Sequence, residues 1–519
     1  MTRTTSHDNT AEPESSGFAF GRPFWRTPAD ALLRTVVLRG VAFVYLVAFA
    51  ILLQQGPGLI GSRGILPAEQ FLSQVAARLG SRGAGFARLP SVFWWGSSDI
   101  ALRAGAYVGA GAALLVLCGI EHVSLFALLW ILYLSFVHIG QIFWGYGWEI
   151  LLCEAGFLAI FLAPARAISC LSPRSAASPT VIWLFRWLAL RLMLGAGLIK
   201  IRGDECWRDL SCLLYHYETQ PNPGPLSPLF HGLPAVVQKA SVLFNHFVEL
   251  VVPFGLLGPA RVRRIAGALV IVFQTTLILS GNLSFLNWLT IVVTLACFDD
   301  AALSRIFPKA LRTRAHAAQR ADVSKPRWVA SVGLLVIVAL LSINPILNML
   351  SPRQSMNTSF DPFELVNTYG AFGSVSRERY EVIVEGSTGN DLNTPIYREY
   401  EFNCKPGDPE RSPCLITPYH YRLDWQMWFL SFDPERQPPW FLSFVHQLLR
   451  ANPAVLGLLR SDPFAGRRPK FVRALLYRYR FTRSGESGTW RRELVGEYMR
   501  PVSLEDPEFL GVLQLYGLD

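Results

Sequence analysis

The chain has 519 residues, of which 51% are hydrophobic and 17% are charged, and its formal net charge is +10. Soluble domains have about a quarter of their residues charged, and the apolar residues here cluster in runs close to the roughly 20 residues that cross a bilayer. A soluble protein is therefore excluded. The basic residues lie between these runs and form no stripe on a soluble domain, so the positive charge indicates membrane orientation and no nucleic-acid partner.

Nine apolar runs predict a polytopic α-helical membrane protein with about nine spans, so residues 34–350 form a helical membrane domain. The polar residues 1–33 lack the apolar core of a signal peptide, and we predict that they are a disordered cytoplasmic tail. The runs fall near residues 34–54, 103–120, 122–139, 142–163, 180–200, 242–258, 264–280, 282–298 and 328–350.

Basic residues concentrate in alternate loops, and this asymmetry predicts the orientation in the membrane. With the N-terminus in the cytoplasm, the loops 55–102 and 201–241 and everything after residue 351 lie outside or in a lumen. The compartment is then the endoplasmic reticulum or the periplasmic side of a bacterial inner membrane. The most basic inner loop contains Arg305, Lys309, Arg312, Arg314, Arg320, Lys325 and Arg327.

The outer loop 55–102 contains an amphipathic segment. Pro67 precedes Phe71, Leu72, Val75 and Leu79, which recur at helical spacing. This pattern predicts a helix that lies on the membrane surface as an anchor.

Four ionisable residues lie inside two consecutive predicted spans. Glu149 and Glu154 are in the fourth span, and Arg186 and Arg191 are in the fifth. In antiparallel helices, matching depths predict two stacked ion pairs, Glu149 with Arg191 and Glu154 with Arg186. Five residues turn a helix by well over a right angle, so a single well-formed layer is also compatible with the spacing.

The sixth span places Asn245, His246 and Glu249 on one helical face. A satisfied interior hydrogen bond, a polar pocket with a catalytic base and a metal ligand pair all suit this spacing. We expect no metal and no cofactor, and a GxxxxGK[ST] nucleotide motif is absent.

The outer loop 201–241 begins with a dense group of charged and aromatic residues after Lys200. Lys200 and Arg202 suit anchoring at the membrane surface, where long basic side chains extend toward water. The density of the group favours a surface that binds a partner protein, or the rim of a pocket. The predicted partner-binding residues are Arg202, Asp204, Trp207, Arg208, Tyr215, His216, Tyr217, Glu218 and Gln220.

Four of the eight cysteines fall on the predicted outer side: Cys206, Cys212, Cys404 and Cys414. Disulfides persist in oxidising compartments, and four cysteines allow three pairings. The local pairs Cys206–Cys212 and Cys404–Cys414 are favoured because CKPGDPERSPC contains the Pro and Gly of a tight turn.

After residue 351 the apolar period changes to two, which predicts a β-rich extracytoplasmic domain over residues 351–519. Between these β segments, WFLSFVHQLLRANPAVLGLL is typical of a helix that breaks near Pro453. The segments with β character are YEVIVEG, REYEF, RLDWQMWF, LYRYRFT and TWRRELVGEYM.

Several stretches resemble the lipase maturation factor family in consistent order from about residue 36 to 500. They include KIRGDECWRDLSCLLYHYETQPNPGP, FNHFVELVVPF, SGNLSFLNWLT, RWLALRLMLGAGLIKI and YEFNCKPGD. The resemblance implies a membrane protein, resident in the endoplasmic reticulum in eukaryotes, that assists folding and assembly of secreted lipases. It also implies that the loop equivalent to 201–241 contacts the lipase.

A shorter stretch, AGLIKIRGDECW, is similar to a motif of the vitamin K-dependent carboxylase family, and Lys200 matches the catalytic lysine of that motif. The resemblance implies that Lys200 acts as a catalytic base. The alternative hypothesis is therefore a membrane enzyme in which Lys200, His246 and Glu249 line an outward-opening pocket for a lipid-soluble or peptide substrate. The favoured hypothesis remains a non-catalytic, ATP-independent chaperone for an exported client, expected to be a lipase.

Overall fold

In the computed structural model of the protein, residues 30–172, 175–318, 323–389, 396–483 and 485–518 are described. The predicted tail 1–33 lies outside these residues, apart from its last four. Ala31, Leu32 and Leu33 already belong to the first helix and are buried. The carboxylate of Asp300 accepts hydrogen bonds from their backbone amides and so holds the start of this helix.

Before residue 351, the described residues form helices that are joined by loops. Short 3-10 turns occur at Val92–Trp94, Gln141–Trp144 and Leu295–Cys297. The helices are α1 (Ala31–Leu59), α2 (Ala68–Leu79), α3 (Arg82–Arg88), α4 (Asp99–Leu117), α5 (Val123–Ile139), α6 (Gly147–Leu162), α7 (Pro179–Arg202), α8 (Glu205–Arg208), α9 (Leu213–Thr219), α10 (Ser227–His231), α11 (Ala235–His246), α12 (Val252–Gly255), α13 (Ala260–Ser280), α14 (Leu286–Thr294), α15 (Asp300–Leu303), α16 (Lys309–Ala318), α17 (Lys325–Leu341) and α18 (Ile343–Leu350).

Six helical segments of the described chain are long and apolar enough to cross a membrane: Ala31–Leu59, Asp99–Leu117, Pro179–Arg202, Ala235–Gly255, Ala260–Ser280 and Lys325–Leu350. The other three predicted spans coincide with the shorter helices α5 and α6 and with the segment Leu286–Cys297. An α-helix of 17 residues, the length of α5, extends only about 25 Å. The count of nine spans therefore stays a prediction.

Both predicted outer loops are largely helical. The segment between α1 and α4 contains the predicted surface helix as α2, with Leu72 buried and Leu79 exposed. Between α7 and α11 the chain forms three short helices, α8, α9 and α10.

The segment Ala235–Gly255 is interrupted by a π-helical turn at Phe247–Val251. Pro253 follows this turn inside α12. Proline has no backbone N–H, and its ring collides with the carbonyl of the residue four positions earlier, which here is Glu249. The wider turn at Glu249 gives the proline ring room beside this carbonyl.

The C-terminal part combines an antiparallel sheet with four helices. Its elements are β1 (Thr358–Ser359), β2 (Asn367–Thr368), β3 (Arg379–Ser387), β4 (Arg398–Glu399), α19 (Arg422–Trp428), α20 (Pro439–Leu449), α21 (Pro453–Leu456), β5 (Phe471–Phe481), β6 (Trp490–Val502) and α22 (Pro507–Tyr516). The four-stranded sheet has the order β4-β3-β5-β6, and its central strands pair Arg379 with Tyr479 and Ser387 with Phe471.

The expectation of β structure at RLDWQMWF is wrong, since these residues form α19 and a 3-10 turn at Phe429–Phe432. Tertiary contacts override the alternating pattern. Asp424 accepts hydrogen bonds from the amides of Cys404 and Lys405, and Arg422 reaches Glu149 in α6.

The membrane helices and the C-terminal part share one hydrophobic core. It extends without interruption from Val37 in α1 to Phe441 in α20 and Val472 in β5. The C-terminal part is therefore packed firmly against one end of the helical part.

Candidate functional site

Lys200, in the last turn of α7, forms a buried ion pair with Glu249. Its ammonium nitrogen donates to both carboxylate oxygens, at 2.6 and 2.7 Å. The Trp207 ring covers the ammonium, with its centroid 5.4 Å from Nζ. Both charged side chains are almost wholly removed from solvent.

Two features of the neighbouring helices hold Glu249 in this position. Gly197 in α7 allows close approach, because a Cβ there would lie 2.9 Å from Cβ of Glu249. Asn245, one helical turn before Glu249, donates its side-chain amide to the carboxylate at 3.0 Å. The carboxylate thus receives hydrogen bonds from two residues, as burial of a charge requires.

A short disulfide-closed segment forms the cover over the ion pair. Asp204 caps α8 by accepting from the amide of Cys206, and Cys206 is bonded to Cys212. The indole N–H of Trp207 donates to the carbonyl of Phe372 at 2.8 Å, and the Trp207 carbonyl lies 2.9 Å from Nε2 of His246. Trp207 is therefore held from both sides, by the C-terminal part and by α11.

His216 in α9 is a buried neighbour of this cluster. Its ring packs edge-on against Phe372, with centroids 4.8 Å apart. Burial, followed by the positive charge of Lys200, lowers the pKa of His216 to about 4. This histidine is therefore neutral at physiological pH.

The end of α9 and the residues after it dock onto the C-terminal sheet. Glu218 accepts from the backbone amide of Phe481 at 2.8 Å. The Arg379 guanidinium donates to the carbonyls of Glu218, Gln220 and Pro221. The Gln220 amide donates to the carbonyl of Ser280 at 2.8 Å, which connects this segment to α13.

The predicted docking surface is mostly not exposed in the structure, and its role in partner binding stays a prediction. Arg208 alone among its nine residues is exposed. Arg202 donates to the carbonyl of Met349 and to Gln354, and Asp204 accepts from the amide of Val375. Tyr215 is half-buried, and the fully buried members are Trp207, His216, Tyr217, Glu218 and Gln220.

Of the predicted catalytic residues, Lys200 and Glu249 contact each other, whereas His246 contacts Trp207. The ring of His246 packs against Trp207, and its Nε2 contacts the Trp207 carbonyl. Two small cavities of the described chain lie where the C-terminal end of α1 meets the N-terminal end of α4, and beside the Cys404–Cys414 disulfide. Lys200 lines neither cavity.

Both predicted intramembrane ion pairs have the wrong partners. Arg191 pairs with Glu154, whereas Glu149 pairs with Arg422 at 2.7 Å, and Arg186 donates to the carbonyl of Ala296. Relative to the prediction, α6 is shifted against α7 by five residues, about 7.5 Å along the axis. In this register neither predicted layer forms, and the ion pair between α6 and α7 is Glu154 with Arg191.

The C-terminal part completes the hydrogen bonding of both buried carboxylates. Glu154 accepts from the amide of Asn367 at 3.0 Å and from the hydroxyl of Tyr369 at 2.7 Å. The carbonyl of Asn367 accepts from Arg191 at 2.7 Å. Sequence patterns do not predict these contacts, although the charges of Arg422 and Asp424 within an aromatic run indicate buried polar partners.

Cys404 and Cys414 are also bonded to each other, so both favoured cysteine pairings are present. Asn282, between α13 and α14, binds the segment after this second disulfide. Its side chain donates to the carbonyl of Cys414 and accepts from the amides of Ile416 and Thr417. A turn at Asn282 does not by itself predict that its side chain binds the segment 414–417.

Apolar helices with buried charges, joined to a sheet-containing C-terminal part, define a polytopic integral membrane protein. Residues 32–305 match the model of the lipase maturation factor transmembrane domain, and residues 365–500 match the lipase maturation factor C-terminal domain. The chain belongs to the lipase maturation factor family, as the resemblance in its sequence predicts.

Individual relatives match over most of the chain. Lipase maturation factor 1 of Bos taurus is 45% identical, over 93% of this chain and 90% of that protein. The same identity is found for lipase maturation factor 1 of Homo sapiens, over 93% of this chain and 89% of that protein. Lipase maturation factor 2 of Gallus gallus is 31% identical, over 93% of this chain and 83% of that protein. No solved structure matches the chain.

Proposed function

We propose that this protein is a membrane-bound maturation factor that assists the folding and assembly of exported lipases without ATP. Membership of the lipase maturation factor family supports the client class. The observation that carries a non-catalytic role is the buried ion pair of Lys200 with Glu249.

A lysine that acts as a base must present a neutral amine to its substrate. Here both carboxylate oxygens of Glu249 lie within hydrogen-bond distance of the Lys200 ammonium, so the lysine is held in a buried ion pair. Trp207 covers the same group. This arrangement suits a structural connection between α7 and the π turn, and it leaves the lysine no direct route to a substrate.

The client-contact surface lies on the exposed parts of the same outer segment. Arg208 and Asp209 are exposed at the end of α8, and Leu226 and Leu229 are exposed at α10, where Leu229 has 65% of its area accessible. The buried residues between them fix these exposed groups on the C-terminal sheet. A rigid surface of mixed charged and apolar character suits an incompletely folded protein client.

The role of the ion pair is tested with the variants Lys200→Leu, Glu249→Leu and the double variant, produced together with an exported lipase. Each single variant leaves one buried charge without its partner and should destabilise the protein by about 3–5 kcal/mol. The double variant removes both charges and should restore protein abundance and secretion of active lipase.

A double variant that is folded and abundant but does not support lipase secretion would contradict a structural role for the pair. The contact surface has a separate test, since Leu229→Asp should reduce recovery of the lipase in a pull-down. Ile396→Asp, at a residue with 78% of its area accessible in the C-terminal part, is the matched control and should leave recovery unchanged.

The orientation we propose has the N-terminus in the cytoplasm and the C-terminal part outside, or in the lumen of the endoplasmic reticulum. The basic residues between α15 and α17 and the two disulfides at the other end support it. Cys118, the exposed free thiol of the described chain, should react with an impermeant maleimide only from the cytoplasmic side. Labelling of sealed vesicles from the opposite side would reverse this orientation, and Cys118→Ser controls for specificity.

The alternative is a membrane enzyme related to vitamin K-dependent carboxylase, in which Lys200, His246 and Glu249 act on a lipid-soluble or peptide substrate. The π turn that carries Glu249 favours it, because such turns are frequent at functional sites. Catalysis would require Trp207 to move away from the ammonium. The alternative predicts an inactive but folded double variant.

A further inference from the structure

The strand β6 forms one edge of the four-stranded sheet, because β5 lies on one side of it and no described strand lies on the other. It has 13 residues, whereas β4 at the opposite edge has two. Residues 490–494 pair with β5 in regular register, and the register shifts after them, at Val495. A strand at the edge of a sheet presents unpaired backbone groups to any other extended chain.

The backbone direction of residues 490–494 follows from their first pair. The amide of Trp490 donates to the carbonyl of Pro409 at 3.0 Å, so Trp490 does not donate to Phe481, the residue opposite it in β5. Bonded and non-bonded pairs alternate along an antiparallel ladder. The N–H and C=O groups of Arg492 and Leu494 therefore point away from β5. Among the residues that the structure describes, none forms a hydrogen bond with these groups.

Two neighbouring apolar side chains are exposed where this regular stretch ends. Leu494 and Val495 have 56% and 53% of their areas accessible. A peptide that joins a sheet as an extra strand gains affinity from main-chain hydrogen bonds and specificity from its side-chain contacts. The edge of β6 offers both kinds of contact to an extended polypeptide.

The edge of β6 adjoins α10, which belongs to the proposed client-contact surface. The ring of His231, the last residue of α10, has its centroid 5.5 Å from that of Phe481. Phe481 in turn stacks on Trp490, the first residue of β6, with centroids 4.2 Å apart. A client that contacts Leu229 in α10 can therefore also reach the edge of β6.

Charge disfavours a second copy of this chain as the occupant of the edge. Two β6 strands that pair about a two-fold axis place the central residue of the contact opposite itself. With the axis at Arg491, Arg492 or Glu493, like charges lie directly opposite each other, which is destabilising. With the axis at Leu494, the register shift at Val495 interrupts the ladder. We propose that the edge of β6 binds an extended apolar segment of the incompletely folded client as an added strand, an inference that rests on the proposed function.

The first test measures peptide binding to the purified full-length protein in detergent, by fluorescence polarisation. The probe is a labelled nine-residue peptide that alternates valine and threonine. A second peptide has the same side chains but an N-methyl group on every backbone amide, so it cannot donate main-chain hydrogen bonds. The first peptide should bind at least about tenfold more tightly than the second. Equal binding of the two peptides would overturn the proposal.

The second test uses two variants at one position. Leu494→Pro removes the N–H that points away from β5 and leaves the pairing with β5 intact, since proline is tolerated at such edge positions. Leu494→Thr keeps this N–H and is the matched control. Leu494→Pro should weaken binding of the valine–threonine peptide by about tenfold, and Leu494→Thr by less than about threefold. Equal binding by the two variants would contradict the proposal. If Leu494→Pro lowers the melting temperature, the comparison of the two peptides on the unaltered protein decides the outcome.

Secretion of a co-produced lipase separates this inference from the proposed function. If the unaltered protein raises secretion of active lipase and Leu494→Pro does so equally well, the edge is not used and the inference fails, while the proposed function stands. If the unaltered protein does not raise secretion, the proposed function fails, and peptide binding still judges the edge. A dimer that Leu494→Pro converts to a monomer would show that a second copy occupies the edge, which would overturn the proposal.

Discussion

Lys200, Glu249 and His216 form a buried cluster in which each polar group depends on its neighbours. The carboxylate of Glu249 pairs with Lys200, while His216 is buried beside the same lysine and contacts no carboxylate among the described residues. The sequence predicts Lys200 and Glu249 as candidate catalytic residues, but it does not predict that they contact each other. Their contact depends on the register between α7 and the π turn, which local spacing does not specify.

Stability should depend on pH through His216. Its pKa is about 4 in the folded protein, against an ordinary value of 6.5, so the unfolded chain binds the proton more readily. The stabilisation is fully present above pH 6.5 and is lost as the pH falls toward 4, by up to about 1.4 kcal/mol per pH unit. His216→Gln lacks this titration.

The measurement is thermal unfolding of the detergent-solubilised protein and of His216→Gln at pH 7.5 and 5.5. The unaltered protein should lose more stability than the variant between these values, because other titrating groups are common to both. If the difference in melting temperature between the two proteins is the same at pH 7.5 and 5.5, His216 has the same protonation in the folded and the unfolded protein, and the prediction is wrong.

Helix α7 is the element on which the site is built, and its glycines allow other segments to approach it. A Cβ on Gly195 would lie 2.5 Å from the carbonyl oxygen of Tyr369, and one on Gly203 would lie 2.0 Å from that of Gly373. The apolar pattern of the sequence predicts α7 as a span. The same pattern does not predict that the segment 369–373 packs along the helix, because that segment is far away in the chain.

Gly203→Ala should destabilise the protein by about 1–3 kcal/mol, since the new methyl group would overlap the backbone of the segment that supports Trp207. Gly111→Ala in α4 is the control, because a Cβ there meets no atom within 4 Å. Alanine at this helical position should be neutral or stabilise the protein by about 0.5–1 kcal/mol. Thermal melting of the two variants checks the difference, and equal melting temperatures would exclude the close contact at Gly203.

In the whole molecule, the C-terminal part supplies the polar partners that the membrane helices lack. Arg422 neutralises Glu149, and Asn367 and Tyr369 bind Glu154. Arg422 and Glu149 are 273 residues apart in the chain. The membrane helices and the C-terminal part should therefore fold as one cooperative unit.

Arg422→Met should destabilise the whole protein by about 3–5 kcal/mol, because it leaves the carboxylate of Glu149 buried without its cation. The double variant Glu149→Gln/Arg422→Met should recover most of this loss. Arg491→Met, at an exposed arginine of β6, is the control and should change stability by less than about 0.5 kcal/mol. The readout is the fraction of monodisperse protein after heating, and equal losses in Arg422→Met and Arg491→Met would contradict the coupling.

The sequence by itself determined the properties that depend on neighbouring residues in the chain. Apolar runs, helical and alternating periodicity, the helix α2 and the strands β3, β5 and β6 follow from local composition and spacing. The two short cysteine loops and the family resemblance were also evident from consecutive residues. Only the tertiary structure decided which buried charges pair, why α19 is a helix and which residues of the outer segment are exposed. These features depend on helix register and on contacts between distant segments, where a shift of a few ångströms changes the partner of a charge.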